Sequence, residues 1–181
     1  MTSVIVRYGI IGGLIVAVPM VWRMASLDAT ASADPLGGML VGYLTMLVAL
    51  TMVFVGIKQY RDKTLGGVIR FLPALGVGLG ISAVASLLYV IGWEISMKIS
   101  DWDFTNWYAN SMIESAKAAG ATPEKLAKVM ADVQEFRESY GNPLVRIPFT
   151  FIEIFPVGLL VSVISAAILR NSRVLPARAA A

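Results

Sequence analysis

Glu153 stands inside the apolar run Phe149-Thr150-Phe151-Ile152-Glu153-Ile154-Phe155-Pro156. At the centre of a membrane-spanning helix an acid costs ~2.5–3.5 kcal/mol, so it turns inward, pairs with a base or keeps its proton. Two chemistries follow for such a group. One is an interhelical hydrogen bond to Ser or Thr; the other is a proton or cation site. Arg146 precedes it by two helical turns on the same face, and its long stem can carry the guanidinium toward Glu153. Pro156 frees the carbonyl of Ile152 and offers a polar notch beside the acid. Glu153 and Arg146 are therefore the candidate intramembrane polar site.

A second group lies in Lys58-Gln59-Tyr60-Arg61-Asp62-Lys63-Thr64-Leu65-Gly66-Gly67. Read as a loop, it makes Lys58, Tyr60, Arg61, Asp62, Lys63 and the following Arg70 candidates for contact with lipid headgroups or a partner. Each base near an anionic surface contributes ~1 kcal/mol. The same bases also serve as plain topological anchors.

Other chemistry is scarce. The chain has no Cys and no His, which removes thiolate nucleophiles, Ser-His-Asp relays and zincin motifs. The glycine run Gly76-Val77-Gly78-Leu79-Gly80 lacks the final spacing and the preceding strand of a nucleotide loop, and reads as helix packing. No catalytic, cofactor-binding or metal-binding residues are assigned and no cofactor is expected. The chain reads as non-enzymatic.

The elements that must position these groups follow from composition. Of 181 residues 57% are hydrophobic and 15% charged, against ~25% charged in ordinary soluble domains. Four stretches are long enough to cross ~30 Å of hydrocarbon, at approximately 4–24, 36–57, 71–95 and 147–169. Their apolar residues fall on all sides, as in spans rather than surface helices. The expected fold is one all-α integral membrane domain of four transmembrane helices, with Pro156 marking a kink in the last. A cleavable leader ending at Ala31-Ser32-Ala33 is the alternative for the first stretch, but Arg23 and a long polar gap separate the two.

Lys58, Arg61, Lys63 and Arg70 between spans two and three, Arg170, Arg173 and Arg178 in the tail, and Arg7 place both termini on the cytoplasmic side. The connection after span one offers only Arg23, against Asp28 and Asp34, and faces outward. Trp22, Trp93, Trp102 and Trp107 gather at the outer ends as interfacial anchors, with an aromatic ligand cage as the sharper alternative. The net charge of +3 follows this topology, so nucleic acid is not an expected partner.

Residues 100–146 differ in composition and predict an extracytoplasmic two-helix hairpin between spans three and four. Phe104, Trp107, Tyr108 and Met112 form the stripe of a helix over 104–119, closed by Gly120. Thr122-Pro123-Glu124 starts a second over 123–140, which Gly141-Asn142-Pro143 ends. Small residues recur every fourth position at Gly9/Gly13, Gly38/Gly42, Gly76/Gly80 and Gly158/Ser162/Ala166, predicting close helix seams within the chain or, alternatively, between copies.

Two strings carry a resemblance. Gly56-Ile57-Lys58-Gln59-Tyr60-Arg61-Asp62-Lys63-Thr64-Leu65-Gly66-Gly67, and Asn142-Pro143 followed by Phe149-Thr150-Phe151-Ile152-Glu153-Ile154-Phe155-Pro156-Val157-Gly158, resemble the bacterial membrane-protein family termed domain of unknown function 4199. The likeness covers nearly the whole chain and implies a four-span protein with an outer hairpin, but no activity. The combined expectation is a bacterial inner-membrane structural or interaction protein. Its partners are the lipid bilayer and, beyond it, a homo-oligomer or membrane partner. The alternative is a small oligomeric transporter or channel subunit using Glu153.

Overall fold

The computed structural model describes residues 1–27 and 35–177. Asp28, Asp34, the Ala31-Ser32-Ala33 string and Arg178 lie outside the described residues. Among these residues six helices follow one another: α1 (Thr2–Ala25), α2 (Pro35–Thr64), α3 (Phe71–Ile99), α4 (Phe104–Ala118), α5 (Pro123–Tyr140) and α6 (Pro143–Leu169). Among the described residues there is no strand. Four helices are long and apolar enough to cross a membrane: α1, Leu40–Thr64 of α2, α3 and α6.

α3 is the central helix, packed along α1 on one side and α6 on the other, while α2 touches all three. Leu50, Val53, Ile57, Val77, Ile81 and Ile154 form the dry centre. Leu40, Leu44, Val48, Ile152, Leu160 and Ile164 lie exposed on the outside. With apolar surface both inside and outside, a hydrophobic drive toward the centre is weak in lipid, and association rests on shape. Small residues supply that shape. A Cβ at Gly9 would lie 2.5 Å from Val84 Cβ, and one at Gly13 would lie 2.6 Å from Leu88 Cβ, so both glycines admit α3 against α1. Gly78 of α3 sits against Ser162 of α6, and Gly158 of α6 against Ser82 of α3. The Gly38/Gly42 pair is different: a Cβ at Gly42 meets nothing within 4 Å. Of the run at 76–80, Gly78 and Gly80 pack against neighbours and Gly76 faces open space.

The two intervening helices match the expected bounds to within a residue. Asp103 caps α4 by accepting the Asn106 N–H at 2.9 Å, and Gly120 takes φ +67 beyond its end. At such a φ a side chain is strained, so glycine suits the turn. Thr122 caps α5 by accepting the Lys125 N–H at 3.4 Å. Backbone N–H donation and the Thr122 hydroxyl hold the Glu124 carboxyl below its ordinary value. Asn142 caps α6 through the Leu144 N–H, with Pro143 in its first turn. α6 thus begins four residues before the expected 147, bringing Arg146 into the helix. It stays helical through Pro148 and Pro156, so the expected kink does not break it.

The basic stretch after span two requires a larger correction. Lys58–Thr64 is not loop but the last two turns of α2. Positive side chains suit a helix C-terminus, where the carbonyl dipoles point outward. Arg61 is fully buried, which excludes it as a headgroup ligand. Its Nε donates to Asp62 Oδ1 at 2.6 Å, Nη1 to the carbonyls of Leu169 and Val174 at 3.3 and 2.9 Å, and Nη2 to Leu175 O at 2.5 Å. Leu169 ends α6, so Arg61 satisfies a carbonyl that the helix leaves without a partner. Lys58 is drawn to Asp62 as its i,i+4 partner, and Tyr60 is half-buried. Lys63 and Arg70 alone of the six remain exposed.

Candidate functional site

Three indoles that the sequence places at a membrane boundary converge on one another. Trp93 ends the apolar part of α3, Trp102 lies in the short link to α4, and Trp107 stands one turn into α4. Phe104 meets Trp93 edge-on at 4.9 Å, and Trp102 lies 4.9 Å from Trp107. Phe136 and Tyr140 of α5 stack at 4.9 Å and extend the cluster. Each such pair adds ~0.5–1.5 kcal/mol beyond its buried area. The link is fixed to α1 as well, since Ser100 Oγ donates to Met24 O at 2.9 Å. Trp22 behaves differently and stands 78% exposed. Trp22 alone of the four indoles stands exposed, whereas the other three build a roof.

Beneath that roof lies a cavity of ≈ 480 Å³. All six helices contribute to it, among them Met20 and Arg23 of α1, Gly42 and Tyr43 of α2, and Tyr89 of α3. It exists because α2 does not close on α1 near Gly38 and Gly42: among the described residues a Cβ at Gly38 would meet only the Arg23 guanidinium, at 3.4 Å, and one at Gly42 nothing within 4 Å. A largely apolar space with a few convergent polar groups is the usual form of a small-molecule site.

Glu153 lines this cavity from α6, and with Tyr140 it also lines a smaller depression of ≈ 310 Å³ beside Phe149 and Ile152. Its side of α6 is exposed to these spaces rather than enclosed. Among the described residues its one polar contact is the Tyr89 hydroxyl, which donates to Oε2 at 3.3 Å. Tyr140 stands next to it and accepts from Trp93 Nε1 at 3.0 Å. Burial pushes the Tyr140 phenol up to about 12, so it stays a neutral donor and acceptor at every physiological pH.

Arg146 does not approach Glu153. It forms a bidentate pair with Glu94, Nε to Oε1 and Nη2 to Oε2, both at 2.7 Å. Nη1 also donates to Tyr140 O at 3.1 Å, and the guanidinium lies 5.9 Å from the Tyr140 ring centre. The two members of the expected polar site thus separate into an ion pair that joins α3, α5 and α6, and an acid left facing the cavity. Glu94, the partner that Arg146 takes, is a side chain the sequence does not single out. A signal existed: residues 93–98 and 143–147 flank the same segment, so Glu94 and Arg146 reach the same end of their helices.

No group of three or more metal-ligating side chains occurs among the described residues. No curated protein and no solved structure matches the chain. A family model, described as protein of unknown function (DUF4199), matches residues 7–171 and so spans every helix of the cavity wall. The chain belongs to the DUF4199 family.

Proposed function

We propose that this chain is a non-enzymatic multi-pass protein of the bacterial inner membrane that works by holding a hydrophobic molecule at the outer end of a four-helix bundle. The observation that carries the reading is the ≈ 480 Å³ cavity, into which the span ends and the α4–α5 pair all lead. Binding needs such a preformed space, whereas a purely structural bundle would fill it. In this reading α4 and α5 form an extracytoplasmic hairpin over the cavity. Both termini are cytoplasmic, in keeping with the basic residues at the far end of α2. The exposed Lys63 and Arg70 then meet anionic headgroups on the inner leaflet. Exposed Leu40, Leu44 and Val48 of α2 face lipid, or a second copy or partner protein.

Two measurements test this. The chain has no Cys, so a single cysteine introduced at Gly120 is expected to react with a membrane-impermeant maleimide in intact cells, and one at Lys63 only after lysis. The reverse pattern would invert the topology. Purified protein in nanodiscs is expected to take up one equivalent of the neutral fluorophore N-phenyl-1-naphthylamine saturably. Gly42→Trp should abolish that uptake, because Gly42 lines the cavity and its Cβ direction is open. Equal, non-saturable uptake by both forms would sink the binding reading.

A second reading, a small oligomeric transporter or channel subunit using Glu153, has one specific observation in its favour. Glu153 meets no base among the described residues, and intramembrane acids mark ion pathways.

A further inference from the structure

Among the described residues the cavity has two charged groups, and they are not partners of each other. Glu153 contributes a carboxylate from α6, and Arg23 contributes a guanidinium from the end of α1, with Nη2 beside Gly38. No ion pair joins them, and Arg146, the base expected to neutralise Glu153, is committed to Glu94. Glu153 therefore presents a carboxyl oxygen to an apolar space, with Tyr89 donating to one side of it. Aromatic side chains line the same cavity, Tyr89, Trp93 and Tyr140 among them. A carboxyl group among aromatic side chains, able to ionise against a bound cation and opening on an apolar chamber, is chemically complementary to a cation whose charge is spread over a hydrophobic body. The ring quadrupoles attract such a charge without needing its hydration shell. A small hydrated ion is a poorer match, since the site supplies one carboxylate and few further oxygens to replace its water.

We infer that the cavity binds a lipophilic organic cation, such as a hydrophobic amine or quaternary ammonium compound, with Glu153 as its counter-charge and Tyr89 and Tyr140 as the polar and aromatic walls around its head. The inference rests on the cavity being a binding site and adds the class of ligand. Arg23 sets the orientation: its positive charge disfavours the cation at the α1 end and leaves the α6 end as the place for the head. The apolar body then lies along Met20 and Val41. Entry need not pass through water, because the depression beside Phe149 and Ile152 reaches Glu153 from the outer face of α6.

The test compares tetraphenylphosphonium with the neutral N-phenyl-1-naphthylamine on full-length protein in nanodiscs, using wild type, Glu153→Gln and Gly42→Trp. The expected result is that Glu153→Gln weakens tetraphenylphosphonium by roughly tenfold or more, the size of one lost charge-assisted contact, and leaves the neutral probe within about twofold. Gly42→Trp is expected to block both. Glutamine keeps the shape and can still accept from Tyr89, so retained neutral binding reports an intact fold. If tetraphenylphosphonium binds wild type and Glu153→Gln alike, the cation assignment is overturned and the cavity remains a site for neutral hydrophobes. If neither probe binds in a way that Gly42→Trp blocks, the cavity reading falls and takes this assignment with it.

Discussion

Replacing Arg146 with alanine is expected to destabilise the protein by about 3–5 kcal/mol, the range for removing one member of a buried ion pair. Arg146 and Glu94 side chains are only 10% and 20% exposed, so little water is at hand to take over when one partner goes. The truncation leaves Glu94 charged, and it also frees Tyr140 O and empties the space over the Tyr140 ring. The converse change, Glu94→Ala, should cost less. Arg146 would keep its bond to Tyr140 O and its ring contact, and its stem can carry the charge toward the interface. The double variant Arg146→Met with Glu94→Leu is expected to recover most of the loss, because apolar residues of similar volume replace buried ion pairs at little cost. Unfolding in mixed dodecylmaltoside–dodecylsulfate micelles, followed by tryptophan fluorescence, gives the three values. Equal losses in the two single variants, with no recovery in the double, would mean that the pair is not the joint between α3 and α6.

That joint also marks where sequence reading stopped. The spans were legible because lipid requires a long apolar run for each crossing, and the bounds of α4 and α5 were legible because Gly120, Thr122 and Pro123 act locally. Helical periodicity and the reach of its stem point Arg146 toward Glu153, but both relate residues on one helix and say nothing about the neighbour. Which residue of α3 lies opposite depends on the depth and rotation of two packed helices, and those are set by the glycine–serine seam below. Arg61 failed for a similar reason. Its charge suggested a solvated loop, yet the end of α6 returns beside α2 and offers carbonyls that the guanidinium fills. The cavity was not legible at all. Gly38 and Gly42 repeat the spacing of the packing glycines, and only the paths of α1 and α2 show that, among the described residues, Gly38 meets just the tip of Arg23 and Gly42 meets nothing within 4 Å.

The seam between α3 and α6 carries the second large effect. Gly78 and Ser82 on one helix face Ser162 and Gly158 on the other, so that each glycine receives the opposite serine. Ser82 Oγ lies 3.2 Å from Ser162 Oγ and donates to Gly158 O at 3.2 Å, while Ser162 Oγ donates to the same carbonyl at 2.7 Å. Both serines are fully buried, and hydroxyl bonding compensates for burying them. A methyl group at position 158 would come within 2.7 Å of Ser82 Cβ, a contact no rotamer relieves. Gly158→Ile is therefore expected to cost about 3 kcal/mol or more, through overpacking and the separation of both hydroxyl bonds, and Gly158→Ala about 1–3. Adding Ser82→Gly to Gly158→Ala should restore much of the loss, since it removes the atom the new methyl strikes, and the two changes should be clearly non-additive. Gly76→Ala is the control: its Cβ meets open space, and alanine favours a helix interior by up to ~1 kcal/mol over glycine, so it should be neutral or mildly stabilising. The same micelle unfolding measures these four variants together with Ser82→Gly alone, which closes the cycle. If Gly158→Ala behaves like Gly76→Ala, α3 and α6 do not meet face to face at this point, and the register that aligns Glu94 with Arg146 goes with it.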